Sequence, residues 1–372
     1  MRIAFDAKRA FYNNTGLGNY SRNTIRQLST FFPLNEYLLY TPSITKRIKF
    51  EIAENCKIIT PESFTGQIFK SYWRSYLMNY QIANDKSEIY HGLSNELPFG
   101  IKSVNVKKVV TIHDLIFKRF PEMYKPADRK IYDRKFKYAS EVADIVIAVS
   151  KQTANDIEEF YKIDSNKIKV VYQGCNPLFY KLLEDKGKTE IKNKYHLPSE
   201  YLLYIGTIEE RKNLLGIIEA LHKNKIDFPL IVIGRKTAYF EKVNNYIISN
   251  NLENKIIFID NLANTDLPAF YQCAKAFIYP SFFEGFGIPV LESLASGTPV
   301  ITSEGSCLEE AGGENSVYVN PYKIDSIAEG INKVLSNKDL RINMIVEGRK
   351  HALKFTEEQV AKNLMTTYEQ LL

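Results

Sequence analysis

The sequence predicts an α/β protein made of two successive doubly wound, Rossmann-like domains facing across a cleft. Three observations predict this. Short apolar runs rich in β-branched residues alternate with helical patterns along all 372 residues. The runs are continuous instead of alternating apolar with polar, as expected of parallel strands buried on both faces. The rhythm then restarts at "YLLYIG" (201–206), as a fresh first strand would. A chain of this length exceeds one ordinary core and suits two domains of about 150–200 residues.

In chain order, "RIAFDA" (2–7) reads as a strand and "GLGNYSRNTIRQLSTF" (16–31) as the helix after it, with Tyr20, Ile25 and Leu28 as candidate core contacts. "YHGLSNELP" (90–98) ends another strand, and "KKVVTIHD" (107–114) and "DIVIAVS" (144–150) are further strands. The charged, weakly apolar segment 178–198, closed by Pro198, marks the switch between halves, giving domains 1–180 and 181–354. The second half runs through "YLLYIGT", "PLIVIGR", "KIIFID", "AFIYPS" and "TPVITS" as strands with helical segments between them. Ligands in such folds bind beyond the carboxyl ends of the strands.

Composition narrows the class. No run of 18 apolar residues predicts a transmembrane span, and the N-terminus lacks the apolar core of a signal peptide. Cys56, Cys175, Cys273 and Cys307 are scattered without CxxC spacing, which reads as reduced thiols in a cytoplasmic protein. Net charge is +6, and the basic excess lies in residues 1–180, where 27 Lys and Arg face 18 Asp and Glu. Such a half could meet an anionic membrane or a phosphorylated acceptor. No zinc-ligand set or helix-turn-helix pattern accompanies it, so nucleic acid is not expected.

The chemistry concentrates in four segments. In "SFFEGFGIPVLESLASGTPV" (281–300), a glycine-bracketed loop leaves a strand, and Pro289 suits the first turn of a helix. Amides of Phe286, Gly287 and Ile288 at that helix start would favour a phosphate oxygen. Glu292 can accept two hydroxyl hydrogen bonds from a ribose, and Glu284 can do so for another sugar. In "YIGTIEERKNL" (204–214), Arg211 and Lys212 stand at the carboxyl edge of the sheet, where fixed positive charge neutralises a leaving pyrophosphate. No Asp-x-Asp occurs, which favours neutralisation without a metal ion. "NNTGLGNYS" (13–21) is a glycine loop opening a helix; Gly16 and Gly18 let the backbone approach the same diphosphate. In "VVTIHDL" (109–115), His113 and Asp114 end a buried strand, positioned to exchange hydrogen bonds with a sugar hydroxyl near the reacting carbon. His91 and Asp114 are placed on the acceptor side.

These segments resemble those of retaining glycosyltransferases of glycosyltransferase family 4, with the GT-B fold. The resemblance is densest from 201 to 321, where "GT.EERKNL", "YPSFFEGFGIPVLESLASGTPVI" and "EEAGGENSVYVNP" fall in the family's order, and the E-x7-E pair Glu284 and Glu292 is its most specific motif. It implies that Glu284 contacts the donor sugar, Glu292 the nucleotide ribose, Arg211 and Lys212 the diphosphate, and His113 the sugar near its reacting face. It also implies that the helix in 355–372 crosses back to the first domain. Three positions depart from the pattern: Gly206-Thr207 replaces Gly-Arg, Glu309-Glu310 replaces Pro-Glu, and Glu357 stands where tryptophan is common.

The expected activity is metal-independent, retaining transfer of a hexose from a nucleotide-diphosphate sugar, with no cofactor. Similarity of the N-terminal stretch and of "YIGTIEERKN" to bacterial mannosyltransferases favours GDP-mannose as donor, with UDP-hexoses next. The acceptor is a saccharide or lipid-linked saccharide of surface polysaccharide. The basic, aromatic stretch 117–138 suits peripheral contact with the inner face of the membrane. The rivals are a nucleotide-sugar epimerase of the same fold and a non-catalytic binding module on a membrane assembly.

Overall fold

The structure, a computed structural model, describes residues 1–45, 48, 50–260 and 262–372. It divides into two compact units, Met1–Gln173 with Glu357–Leu372, and Gly174–Thr356. The division falls earlier than the expected 180/181. Residues 185–194 of the charged segment form a helix of the second unit with no fully buried residue, so its composition resembles a linker.

The first unit holds a parallel sheet of seven strands: β1 (Arg2–Asp6), β2 (Glu36–Tyr40), β3 (Cys56–Ile59), β4 (Ile89–Gly92), β5 (Lys107–Ile112), β6 (Ile145–Ala148) and β7 (Ile168–Val170), in the order β3-β2-β1-β4-β5-β6-β7. Successive side chains on a strand face opposite sides, so each strand feeds two cores. Ala4, Tyr90, Val110, Ile112 and Val146 enter one, while Ile3, Phe5, Ile89, Val109 and Ile147 enter the other. Ile25 and Leu28 of the helix Gly16–Phe31 are buried in the second core, with Tyr20 partly buried against it. That core is completed by the last helix, Glu357–Glu369, through Val360, Ala361, Leu364, Met365 and Tyr368. Glu357, where the resemblance leads one to expect tryptophan, is buried and ion-paired with Arg26 of the helix it packs against.

The second unit holds a parallel sheet of six strands: β8 (Leu202–Ile205), β9 (Leu230–Ile233), β10 (Ile256–Ile259), β11 (Ala276–Tyr279), β12 (Val300–Ser303) and β13 (Val317–Val319), in the order β10-β9-β8-β11-β12-β13. In each sheet the order reverses beside the first strand, between β1 and β4 and between β8 and β11. The chain leaves the two central strands in opposite directions there, opening a crevice at the carboxyl edge. Among the described residues no helix is long and apolar enough to cross a membrane.

Candidate functional site

The second unit's site forms at the reversal between β8 and β11. After β8, Arg211 and Lys212 lie in a short 3-10 turn, Glu210–Lys212. After β11, the loop 280–287 carries Glu284. Asn213 joins the two: it takes a left-handed backbone (φ 57°), and its amide donates to the carbonyls of Pro280 (3.2 Å) and Pro321 (2.8 Å).

Arg211 Nη1 lies 2.7 Å from Glu284 Oε2, and Arg211 Nη2 donates to Glu209 Oε1 at 2.6 Å. The guanidinium also donates to the Phe283 carbonyl. Glu284 Oε1 accepts from the Tyr279 hydroxyl (2.8 Å) and from Ser281 Oγ (3.0 Å), with Lys212 Nζ at 3.8 Å. Lys212 Nζ donates to the Tyr279 hydroxyl at 2.7 Å. Burial alone would raise the Glu284 carboxyl, but Arg211 and Lys212 beside it hold it at about 2, so it is a fixed anion at neutral pH. Burial likewise opposes the Arg211 charge, and Glu284 and Glu209 more than restore it. The two cations therefore differ: Arg211's fork is filled by the chain's own carboxylates, whereas Lys212 has N–H groups to spare.

The helix Ile288–Ala295 follows, starting at Gly287. Gly287 has φ 146°, and a Cβ there would sit 2.9 Å from Leu308 Cδ2, so only glycine suits this turn. The amides of Gly287 and Ile288 have no protein partner among the described residues, whereas those of Val290 and Leu291 return to the Gly287 carbonyl. Phe286 is buried, its ring 5.7 Å from that of Phe355. Glu292 is half-buried, and Tyr271 donates to its Oε2 at 3.0 Å. With no cation beside it among the described residues, burial pushes its carboxyl up to about 7. The E-x7-E pair thus sets an anion held by cations beside a carboxyl poised near neutrality.

In the first unit, Gly18 and Gly16 part company. A Cβ on Gly18 would lie 1.7 Å from the Asn13 carbonyl oxygen, so this glycine serves the fold of its own loop, while a Cβ on Gly16 meets nothing within 4 Å. His113 follows β5. Its backbone amide donates to Asn95 Oδ1 at 2.7 Å, and Nε2–H donates to the Leu93 carbonyl at 2.9 Å, leaving Nδ1 as a hydrogen-bond acceptor. Burial lowers its pKa to about 4, so the ring is neutral at pH 7. Asp114 accepts from the Ile116 amide at 3.2 Å, closing a turn.

His91 departs from expectation. It is fully buried in β4, with Nδ1 2.6 Å from the Tyr368 hydroxyl and Nε2 2.8 Å from Thr111 Oγ1. Both ring nitrogens are committed to the fold, so His91 fastens the last helix to the sheet and has none left for an acceptor. The stretch 117–138 departs too. Phe117 and Phe136 are buried and pack edge-on with ring centroids 5.6 Å apart. Lys118 pairs with Asp133, and Arg119 with Asp156 and Glu159, so much of the expected basic, aromatic face is spent internally.

Four residues of the second unit's site escape a reading of the sequence: Glu209, Tyr279, Ser281 and Tyr271. All but Tyr271 lie inside motif segments, but nothing local shows that Tyr279 bridges Lys212 to Glu284. Strand alternation from Phe277 is the signal that puts Tyr279 and Ser281 on one side.

Comparison with known proteins accords with this geometry. A family profile described as "Glycosyltransferase Family 4" matches residues 16–177, and one described as "Glycosyl transferases group 1" matches residues 187–351. The chain is 25% identical to "O-antigen chain mannosyltransferase B" of Escherichia coli, over all of both chains. It is 28% identical to "O-antigen chain mannosyltransferase RfbU" of Salmonella typhimurium, over 58% of this chain and 57% of that one. Among solved structures, sucrose-phosphate synthase of Thermosynechococcus elongatus superposes with TM-score 0.81 at 18% identity, covering 100% of this chain and 99% of that one. HepE of Anabaena, in complex with UDP-glucose, superposes with TM-score 0.77 at 14% identity over all of both chains. The two sheets are those of the GT-B fold, and the chain belongs to the family 4 glycosyltransferases.

Proposed function

We propose that this enzyme transfers mannose from GDP-mannose to a saccharide or lipid-linked saccharide acceptor in surface polysaccharide synthesis, with retention at the anomeric carbon and without a metal ion. The observation that carries the reading is the ion-paired group Arg211, Glu284, Lys212 and Tyr279 at the β8/β11 reversal, beside a helix start with two unpartnered amides. The mannosyltransferase names of full-length and partial relatives support the sugar and the pathway.

Lys212 and the amides of Gly287 and Ile288 take the diphosphate charge, with Arg211 fixing Glu284 and lending its field. Glu284 accepts from hydroxyls of the donor sugar, Glu292 accepts from the ribose, and His113 Nδ1 accepts from a sugar hydroxyl. The acceptor oxygen bonds to the anomeric carbon on the face that the phosphate leaves. The anomeric carbon–phosphate oxygen bond breaks, and the acceptor's proton passes to the departing phosphate oxygen. Each well-placed donor to that oxygen lowers the barrier by about 2.7–4 kcal/mol. Peripheral membrane contact falls to the exposed Ile131 and Tyr132 side of the helix Pro126–Val142 and to its unpaired cations.

The test is a thermal-shift panel of GDP-, UDP-, ADP- and dTDP-sugars, followed by NMR of the product's anomeric configuration. A ligand at 100 times its Kd stabilises by about 2.7 kcal/mol. Stabilisation by GDP-mannose alone and an α-linked product are expected. An inverted product, or epimerised nucleotide sugar formed without acceptor, would count against the reading.

A further inference from the structure

The second unit carries a cavity that enters none of the roles above. Its volume is about 300 Å³, and it lies at the amino end of the sheet, where the chain enters β9 and β10. Arg211, Lys212 and Glu284 follow strands at the opposite, carboxyl end. Ile218, Leu221, Ile226, Phe228, Leu252 and Ile256 line the cavity, so most of its wall is apolar. Ligand sites run from about 300 to 1,000 Å³, which makes this one fit for a small molecule.

One helix end supplies the polar part of the lining. The helix Leu214–Lys223 stops where Lys225 takes a left-handed backbone (φ 52°). The amides of Asn224, Lys225 and Ile226 return to the carbonyls of Ala220, His222 and Leu221 at 3.3, 3.1 and 2.9 Å, so these carbonyls are met within the chain. The turn sets Leu221 and Ile226 in the apolar wall with the exposed Lys225 beside them. Neighbouring cations are already paired, Lys255 with Asp227 at 2.8 Å and Lys223 with Glu219 at 2.6 Å. Lys225 has no such partner among the described residues. Glu253 stands exposed beside Leu252, outside the lining. His222 Nδ1 lies 3.0 Å from the Tyr246 hydroxyl, which leaves Nε2 for a ligand.

We propose that this cavity binds a small apolar carboxylate, an aliphatic or aromatic acid whose body fills the apolar wall and whose carboxylate meets Lys225 and His222 Nε2. Removing the body from water drives binding, and the charge-assisted contact with the ammonium fixes which end faces out. Apart from His222, the charged lining is two lysines against one aspartate, which selects an anion over a cation. Because the donor residues lie at the other end of the sheet, the ligand does not compete with a nucleotide sugar. The inference is independent of which donor the enzyme uses.

The test titrates octanoate and 3-phenylpropionate into the whole protein by calorimetry, with octanol and octylamine as neutral and cationic counterparts. At least one carboxylate should bind, octanol about tenfold more weakly than octanoate, and octylamine not at all. In protein carrying isotope-labelled histidine, the ring signals of His222 should shift on adding the carboxylate while those of His113 stay. Lys225→Gly relieves the left-handed backbone, so it should unfold no lower than the wild type and yet bind the carboxylate about tenfold more weakly. Lys225→Arg keeps the charge and should bind like the wild type. Failure of both carboxylates to bind, equal binding of octylamine, or unchanged affinity in Lys225→Gly overturns the proposal. So does displacement of the carboxylate by a nucleotide sugar, which would place it in the donor site.

Discussion

Glu292→Gln separates stability from function at one atom pair. In the folded protein the Glu292 carboxyl is pushed by burial from 4.5 to about 7, with only the Tyr271 hydroxyl donating to it. Because the folded state holds this proton more tightly than the unfolded chain, ionisation costs stability. The cost is absent below pH 4.5, grows as pH rises through about 7, and is constant above. At about 1.36 kcal/mol per pH unit the ceiling is about 3 kcal/mol, and solvent at the partly exposed side chain reduces it to about 1.5 kcal/mol. Glutamine keeps the shape and still accepts from Tyr271 but carries no charge. The variant should therefore unfold about 3–6 °C higher than the wild type at pH 8.5 and at the same temperature at pH 5. Its nucleotide-sugar affinity at pH 8.5 should fall about tenfold or more, because the ribose hydroxyls lose an anionic acceptor. The assay is scanning calorimetry across pH 5–9 without ligand, paired with donor titration. A variant no more stable at pH 8.5, or a difference independent of pH, refutes the reasoning.

Three further outcomes are expected. Glu284→Gln leaves Arg211 with Glu209 as its one carboxylate among the described residues, beside the Phe283 carbonyl; it should cost about 3 kcal/mol in denaturant titration at pH 7 and reduce kcat/KM about a hundredfold. The wild-type contribution of this carboxylate, held at about 2, is present above pH 4.5 and lost as pH falls toward 2, so the gap should close in acid. Gly18→Ala should lose at least about 3 kcal/mol because its Cβ would overlap the Asn13 carbonyl, while Gly16→Ala should fold normally by circular dichroism. Burial holds His91 and His113 neutral, at about 3 and about 4, so stability should fall as pH drops below 6.5. His91→Leu should flatten that acid slope in denaturant midpoints compared at pH 7 and 4.5, at the expense of stability at pH 7.

Much of this architecture is written locally. β1, the helix Gly16–Phe31 and the strands β8 to β12 are continuous apolar runs or a clear helical period, and such patterns need no tertiary partner to be seen; β13, three residues long, escapes this reading. Arg211, Lys212 and Glu284 could be picked out because they follow strands that end in glycine or proline. What escaped depends on contacts far apart in the chain. β3 and β7 are short and partly exposed, so they carry little apolar signal. His91 reads as a strand-end histidine until Tyr368, 277 positions away, is found on its ring. The division of labour between Arg211 and Lys212 is invisible for the same reason. It is set by Tyr279 and Glu284, which lie 67 and 73 residues along the chain from Lys212 and Arg211, and adjacent cations look alike in one dimension.

The central claim is that protein N–H groups and the Lys212 ammonium bear the charge of the sugar nucleotide's diphosphate. Calorimetric titration of GDP-mannose and UDP-hexoses into the wild type and Lys212→Met, each with and without chelator, tests it most directly. Wild-type binding should ignore the chelator and fall at least about tenfold in Lys212→Met, the loss of one charge-assisted contact. Binding that vanishes with chelator and returns with magnesium, or that is indifferent to the loss of Lys212, would contradict it.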